Sequence, residues 1–178
     1  MSVRQLTQMA MLAAISIVLV FFIRLPILPT APFLEYTPGD VPLMMGAFLY
    51  GPGAGLVLTV VVAIIQGMTV SAHSGPIGVI MNILSTGSFV LVAGLIYRRK
   101  RDAKTAVVAM LAGIAATTAS MIGWNLIFTP IFMGVPREVV AAMVLPVFLP
   151  FNVIRAGVNS VITFVTWRAV GRLLTKYF

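Results

Sequence analysis

From Val41 to Tyr97 the chain carries no Asp, Glu, Lys or Arg. An ordinary water-soluble domain has roughly one charged residue in four, so a charge-free run of this length has no place on a hydrated surface. A helix that crosses the hydrocarbon core of a bilayer needs about 20 mostly apolar residues. Two further uncharged stretches, Gln5 to Ile23 and Thr105 to Pro136, have lengths of that order. Over the whole chain 60% of residues are hydrophobic and 9% are charged, which excludes a soluble globular domain as the leading class. It also excludes intrinsic disorder, which requires low hydrophobicity. With no Cys, a single His and four acidic residues, a thiol nucleophile, a Cys-ligated metal and a disulfide framework are excluded. No metal site is expected. The net charge is +8, and the basic residues lie between apolar blocks. That pattern fits loops facing an anionic membrane leaflet. The basic run at 98–104 has no interleaved aromatics, so nucleic acid is not an expected partner.

The stretch from Val41 to Tyr97 is too long for two helices and has two breaks, Gly51-Pro52-Gly53 and Ser71-Ala-His73-Ser-Gly75-Pro76. Such Gly and Pro pairs punctuate helices. The sequence therefore predicts helices over about 5–23, 42–50, 54–70, 77–97, 105–128 and 146–174, an all-α bundle of six transmembrane helices in one domain, 1–178. The first segment follows Arg4 as a signal peptide would, but it lacks a small-x-small cleavage site and reads as a retained helix. Short cytoplasmic loops carry the excess of Lys and Arg. With six helices and the N-terminus inside, Arg4, Arg98, Arg99, Lys100, Arg101, Lys104, Arg168, Arg172 and Lys176 face the cytoplasm, against Arg24, Arg137 and Arg155 elsewhere. Merging the second and third helices would place the 98–104 cluster on the opposite side from Arg4. The short helix rises only about 14 Å, so it must be partly submerged, extended or shielded by neighbours. Two long outside loops follow: 24–40, between helices 1 and 2, with Pro26, Pro29, Pro32 and Pro38, and 130–145.

The last helix carries Asn152, Arg155, Asn159, Thr163 and Thr166. Their spacing keeps all five within an arc of about 80°, one polar stripe. A buried Arg in a membrane helix is costly and faces a cavity or a partner. Asn125 lies near the outer end of the fifth helix beside Trp124, and Trp124 with Phe33 and Leu34 are candidates for the apolar wall of a ligand pocket. Asn125, Asn152 and Arg155 together offer amide donors, amide acceptors and a guanidinium fork to a planar polar ligand, although each alone is accounted for by interhelical hydrogen bonding or ion pairing. In the first outside loop Phe33, Leu34, Glu35, Tyr36 and Asp40 are candidates for a lid. Asn82 reads as a packing hydrogen-bonder, with a place at the site as the alternative, and His73 as a loop residue without a role. Ala10 and Ala14, and separately Ala112, Ala116 and Ser120, are small-residue steps that allow close helix approach. The second reads as internal packing; the first leaves a partner protein open. Gly51-Pro-Gly53 lacks the Lys-Ser/Thr of a phosphate loop, and no catalytic triad is evident.

The segments Leu34-Glu-Tyr36-Thr-Pro-Gly-Asp40-Val-Pro42, Gly46-Ala-Phe-Leu-Tyr-Gly-Pro52-Gly-Ala-Gly55, Gly75-Pro-Ile-Gly-Val-Ile-Met-Asn82, Ala93-Gly-Leu-Ile-Tyr97, Asn125 with Pro130, and Pro150-Phe-Asn152-Val-Ile-Arg155-Ala-Gly157-Val-Asn159-Ser160 carry a resemblance along nearly the whole chain. It resembles the membrane-embedded substrate-binding subunits, or S components, of energy-coupling factor (ECF) vitamin transporters, most of all the riboflavin-specific type. The resemblance implies six helices in the bacterial cell membrane, both termini in the cytoplasm, and high-affinity vitamin binding under the first outside loop. Riboflavin is then a transported ligand; no cofactor is implied. Asn125 and Asn152 match the residues that meet the isoalloxazine edge in that type. Arg155 stands where the pattern has Lys, with the same charge and a different fork geometry. The resemblance gives Ala10 and Ala14 to docking on a transmembrane coupling subunit, and ATP hydrolysis to two separate ATPase subunits. The alternatives are an S component for a pterin, a pyrimidine or a similar compound, a small intramembrane enzyme, and a structural membrane protein.

Overall fold

The structure, a computed structural model, describes residues 2–177, with the side chains of His73 and of residues 170–177 outside the description. The role weighed for His73 and the inside charges expected from Arg172 and Lys176 therefore lie outside the described side chains. Helix α1 spans Val3–Phe22 and starts two residues earlier than the apolar pattern suggests. Ser2 and Gln5 cap it reciprocally: Ser2 Oγ accepts from the Gln5 N–H at 3.3 Å and Gln5 Oε1 accepts from the Ser2 N–H at 3.2 Å. This satisfies two of the orphan donors of a helix start.

The connection to the next helix contains a two-residue antiparallel pair, β1 (Leu25–Pro26) with β2 (Glu35–Tyr36), Leu25 opposite Tyr36. Ser16 Oγ donates to the Gly39 carbonyl at 2.6 Å and ties the end of this connection to α1.

Helix α2 spans Asp40–Tyr50, and every residue from Asp40 to Phe48 is buried. A helix of 11 residues rises about 16 Å, too little to cross a bilayer, and α2 is shielded all round by α1, α4, α7 and α3 (Pro52–Met68). Of the three arrangements open to a short helix, the chain adopts shielding. The α2–α3 break turns on Gly51, whose φ of +96° is a conformation that costs glycine little and other residues much. The turn folds α3 back against α2 so closely that a Cβ at Gly55 would stand 2.6 Å from the Ala47 side chain.

A short 3₁₀ turn, Ala72–Ser74, leads to α4 (Gly75–Tyr97) and then α5 (Ala103–Met133). Asp102 caps α5 by accepting from the Thr105 N–H at 2.7 Å. Helices α4 and α5 form the tightest pair. A Cβ at Gly113 would lie 2.8 Å from the Phe89 ring, and Thr117 Oγ1 donates to the Ser85 carbonyl at 2.7 Å. The step Ala112, Ala116, Ser120 lies on this helix, with Ser120 hydrogen-bonded to Ser88 at 3.1 Å.

The sequence places the end of α5 near Phe128, and the structure corrects it. The helix runs through Pro130 to Met133 and stops at Gly134 with φ +66°. Its 31 residues reach about 46 Å, beyond the ~30 Å hydrocarbon core. The loop expected at 130–145 contains a short helix, α6 (Arg137–Ala142), and a π turn, Val144–Phe148, that opens α7 (Leu149–Tyr177). Ala31 of the first connection packs with Val140, Val147 and Phe148, so the two expected loops form one cap on this end of the bundle. The chain is mostly helical, and four helical stretches are long and apolar enough to cross a membrane: Val3–Phe22, Gly75–Tyr97, Ala103–Met133 and Val144–Ala169.

Candidate functional site

The polar stripe of α7 faces inward, with Asn152, Asn159 and Thr163 buried. Arg155 meets the carboxylate of Asp40, the first residue of α2. Its Nε and Nη2 donate to Asp40 Oδ2 at 3.1 and 2.9 Å. Asn159 Nδ2 adds a bond to the same oxygen at 3.2 Å, and Thr86 Oγ1 of α4 donates to Oδ1 at 2.9 Å. A buried carboxylate is tolerable only when paired and hydrogen-bonded, and Asp40 meets both conditions. Tyr36 donates to Asn159 Oδ1 at 2.9 Å, while Asn159 Nδ2 also reaches the Thr37 carbonyl at 3.1 Å. Burial foremost, with Asp40 adding and Arg155 opposing, pushes the Tyr36 phenol above its ordinary value and keeps it a donor. One network thus joins the first connection, α2, α4 and α7.

Above this network lies a cavity of about 190 Å³. Its polar wall holds Asp40, Gln66, Asn82, Asn125, Asn152 and Arg155, and its apolar wall includes Val20, Ala63, Met121 and Phe151. Phe33, Leu34 and Glu35 border it from the first connection. Arg155 keeps Nη1 without a hydrogen bond to any described residue, so the guanidinium is anchored on one edge and open on the other. Asn125 and Asn152 share one habit: each donates Nδ2 to the carbonyl four residues earlier, Met121 or Phe148, at 2.7 Å. Asn125 Oδ1 accepts from Thr129 at 2.8 Å, whereas Asn152 Oδ1 has no partner among the described residues. Asn82 donates to Gln66 Oε1 at 3.0 Å.

Of the residues singled out from the sequence, eight border this cavity: Phe33, Leu34, Glu35, Asp40, Asn82, Asn125, Asn152 and Arg155. Two do not. Trp124 packs on Phe128 of its own helix, with ring centroids 5.7 Å apart. It precedes Asn125 by one residue, 100° of helix rotation, which turns it away from the cavity. Tyr36 sits behind the wall, on Asn159. Ala10 and Ala14 lie exposed on the outer face of α1, apart from the site.

Sequence reading missed Arg24 and Gln66. Arg24 stands at the rim, donating from Nε to the Val20 carbonyl at 3.1 Å and from Nη2 to Ser71 at 3.0 Å, with Glu35 at 3.5 Å. The signal was present, since Arg24 is the first charge after α1 and Gln66 the one amide within α3. Among the described residues, no group of three or more His, Cys, Asp or Glu side chains is arranged to hold a metal.

Comparison with known proteins gives the arrangement its context. Residues 4–166 match the family described as ECF transporter, substrate-specific component. The riboflavin transporter RibU of Staphylococcus aureus (strain TCH60) is 27% identical over 97% of this chain and 93% of its own length. The riboflavin transporter FmnP of Bacillus subtilis (strain 168) is 28% identical over 91% of this chain and 89% of its own. A solved structure of the S component of a bacterial ECF transporter superposes with a TM-score of 0.84 at 27% identity, over 96% of this chain and 97% of the other. The chain belongs to the substrate-specific component family of ECF transporters.

Proposed function

We propose that this chain is the riboflavin-binding subunit of an ECF-type uptake transporter, a non-catalytic membrane protein. The observation that carries the reading is the one-sided anchoring of Arg155 by Asp40, which aims an open guanidinium edge into a cavity shared with Asn125 and Asn152. The uracil-like edge of a flavin alternates carbonyl acceptors with one N–H donor. Arg155 Nη1 donates to a carbonyl, Asn152 Oδ1 accepts from the ring N–H, and the Asn125 amide serves a second carbonyl once it turns from Met121. The apolar wall suits the rest of the flat ring. The names of the relatives support the same ligand.

In this reading the shielded α2 counts as the second of six spans in a single domain, and the 98–104 cluster faces the cytoplasm with both termini. Glu35, Phe33 and Leu34 then close the outer side of the site. The exposed Ala10 and Ala14 face takes the transmembrane coupling subunit, and two ATPase subunits supply the hydrolysis. Ala14→Trp is expected to impair assembly or uptake while leaving flavin binding by the isolated subunit intact. The visible absorption spectrum and flavin fluorescence of the purified protein, followed by riboflavin titration of the ligand-free form, test the reading. A flavin bound in one-to-one ratio supports it; no quenching of added riboflavin by folded protein overturns it.

A further inference from the structure

Away from the cavity beside Arg155, residues of α5 and α7 line a groove of about 650 Å³ with a mostly apolar surface. Leu111 and Ile114 of α5 form one wall, and Val158, Val161 and Phe164 of α7 form the other. Its floor includes Gly157, where an added Cβ would meet no atom within 4 Å. Ser160, the one hydroxyl in the lining, spends its proton on the Ala156 carbonyl at 2.7 Å. The groove therefore presents almost nothing but hydrocarbon.

Two features say what fills it. The first is length. Along α7 the groove runs from Val153 to Phe164, about 17 Å of helix, close to the ~15 Å that one leaflet contributes to the hydrocarbon core. The second is charge at one end only. Val107 and Leu111 are groove residues, and Lys104 lies three residues before Val107 on the same face of α5 and is exposed. Phe164 also lines a smaller recess that contains Arg168, exposed and four residues further along α7. Among the described residues Arg168 has no carboxylate within salt-bridge distance. Asp102 lies near Lys104 and caps α5 by accepting from the Thr105 N–H, and among the described residues it is not within salt-bridge distance of Lys104. The cations of both helices thus flank the end of a leaflet-long apolar groove.

We infer that the α5–α7 groove is a binding site for one anionic phospholipid, an acyl chain in the groove and the headgroup phosphate between Lys104 and Arg168. A Lys or Arg near a membrane surface contributes roughly fivefold to the affinity for an anionic lipid. Two of them place the preference for an anionic over a zwitterionic headgroup in the range of 5- to 30-fold.

The test is native mass spectrometry of the full chain, purified in detergent without flavin and titrated with dioleoyl-phosphatidylglycerol or dioleoyl-phosphatidylcholine. The expected result is one tightly retained phosphatidylglycerol, at least fivefold preferred. In the Lys104→Gln/Arg168→Gln chain the preference falls to less than twofold. Gly157→Phe fills the groove from its open floor and removes retention of both lipids. Equal retention of the two lipids by the unaltered chain overturns the inference, as does a preference that survives loss of both cations. If the Gly157→Phe chain still retains phosphatidylglycerol with its preference, the headgroup is held without the groove and the inference is overturned. If Gly157→Phe changes only dimerisation or assembly with other subunits and leaves lipid retention intact, the groove belongs to a protein and the inference fails. Riboflavin titration of the same variants stays at the unaltered affinity, so this result and the flavin reading stand or fall separately.

Discussion

The two ends of the bundle solve the same problem of a buried interior in opposite ways. At one end Asp40, Tyr36, Thr86, Arg155 and Asn159 form a hydrogen-bonded network beneath a cavity. At the other, Phe48, Phe89, Tyr97, Ala106, Ala109 and Met110 pack into a cluster, with Phe48 and Tyr97 stacked at 4.3 Å. Helices α2, α4 and α7 run through both. Met44 is the hinge between them: it belongs to the apolar cluster and accepts a hydrogen bond on its sulfur from Thr163 at 3.4 Å. The comparison teaches a division of labour. The interior of the packed end is filled by side chains, which fixes the helices relative to one another. The networked end keeps polar atoms unsatisfied toward the cavity because it borrows its rigidity from below.

That comparison is most sharply tested by removing one charge of the pair. Asp40→Ala leaves Arg155 buried without a counter-ion and strands Thr86 and Asn159. The expected cost is about 3–5 kcal/mol of stability, read as a lowered unfolding midpoint in detergent, together with loss of riboflavin binding. A folded Asp40→Ala chain of unchanged midpoint and affinity would show that the network does not organise the site.

Phe89→Ala is the counterpart in the packed end. Phe89 is 1% exposed, and truncation of a buried Phe costs about 3–5 kcal/mol. Here stability and binding should separate. The folded fraction at low temperature is expected to bind riboflavin within threefold of the unaltered chain. A tenfold loss of affinity would mean that the two ends are not distinct.

Within the networked end, Asn152→Ala and Arg155→Ala are each expected to weaken riboflavin binding at least tenfold, with little effect of the first on folding. Losing a hydrogen bond to a charged donor costs about 1.5–3 kcal/mol, or roughly 10- to 150-fold. Arg155→Lys retains the charge opposite Asp40 and much of the affinity, though not both contacts of the guanidinium fork. Fluorescence titration with riboflavin ranks the three.

How far the sequence disclosed this division depends on the kind of interaction. The inward face of α7 was legible because Asn152, Arg155, Asn159, Thr163 and Thr166 repeat at helical spacing in an otherwise apolar segment. The break at Gly51 was legible because Gly and Pro flank it. The partner of Arg155 was not: Asp40 lies 115 positions away in sequence, and no local pattern encodes a pairing set by how α2 is enclosed. The end of α5 was misjudged because Pro130 signals a stop that the helix overrides, its fold continuing to Gly134. That α2 is too short to cross alone was legible, but which of the three arrangements it adopts was not, since a helix with no charge after its first residue has no stripe to orient it.

The smallest expected effect separates sequence proximity from geometry. Trp124 stands beside Asn125 and, read from the sequence alone, belongs to the pocket wall. In the structure its ring packs on Phe128 instead of facing the cavity. Trp124→Phe keeps an aromatic for Phe128 to pack against and leaves the cavity wall intact. Riboflavin affinity should therefore change by less than threefold, about 0.6 kcal/mol. Quenching of the remaining tryptophan, Trp167, is not needed for this measurement, because the flavin supplies its own fluorescence. A loss of tenfold or more would place the Trp124 ring on the ligand, and would require α5 to rotate by about one residue, 100°, when the cavity fills. Such a rotation would pull Gly113 off Phe89 and break the Thr117–Ser85 bond. The tight α4–α5 seam at the packed end thus argues directly for the small effect.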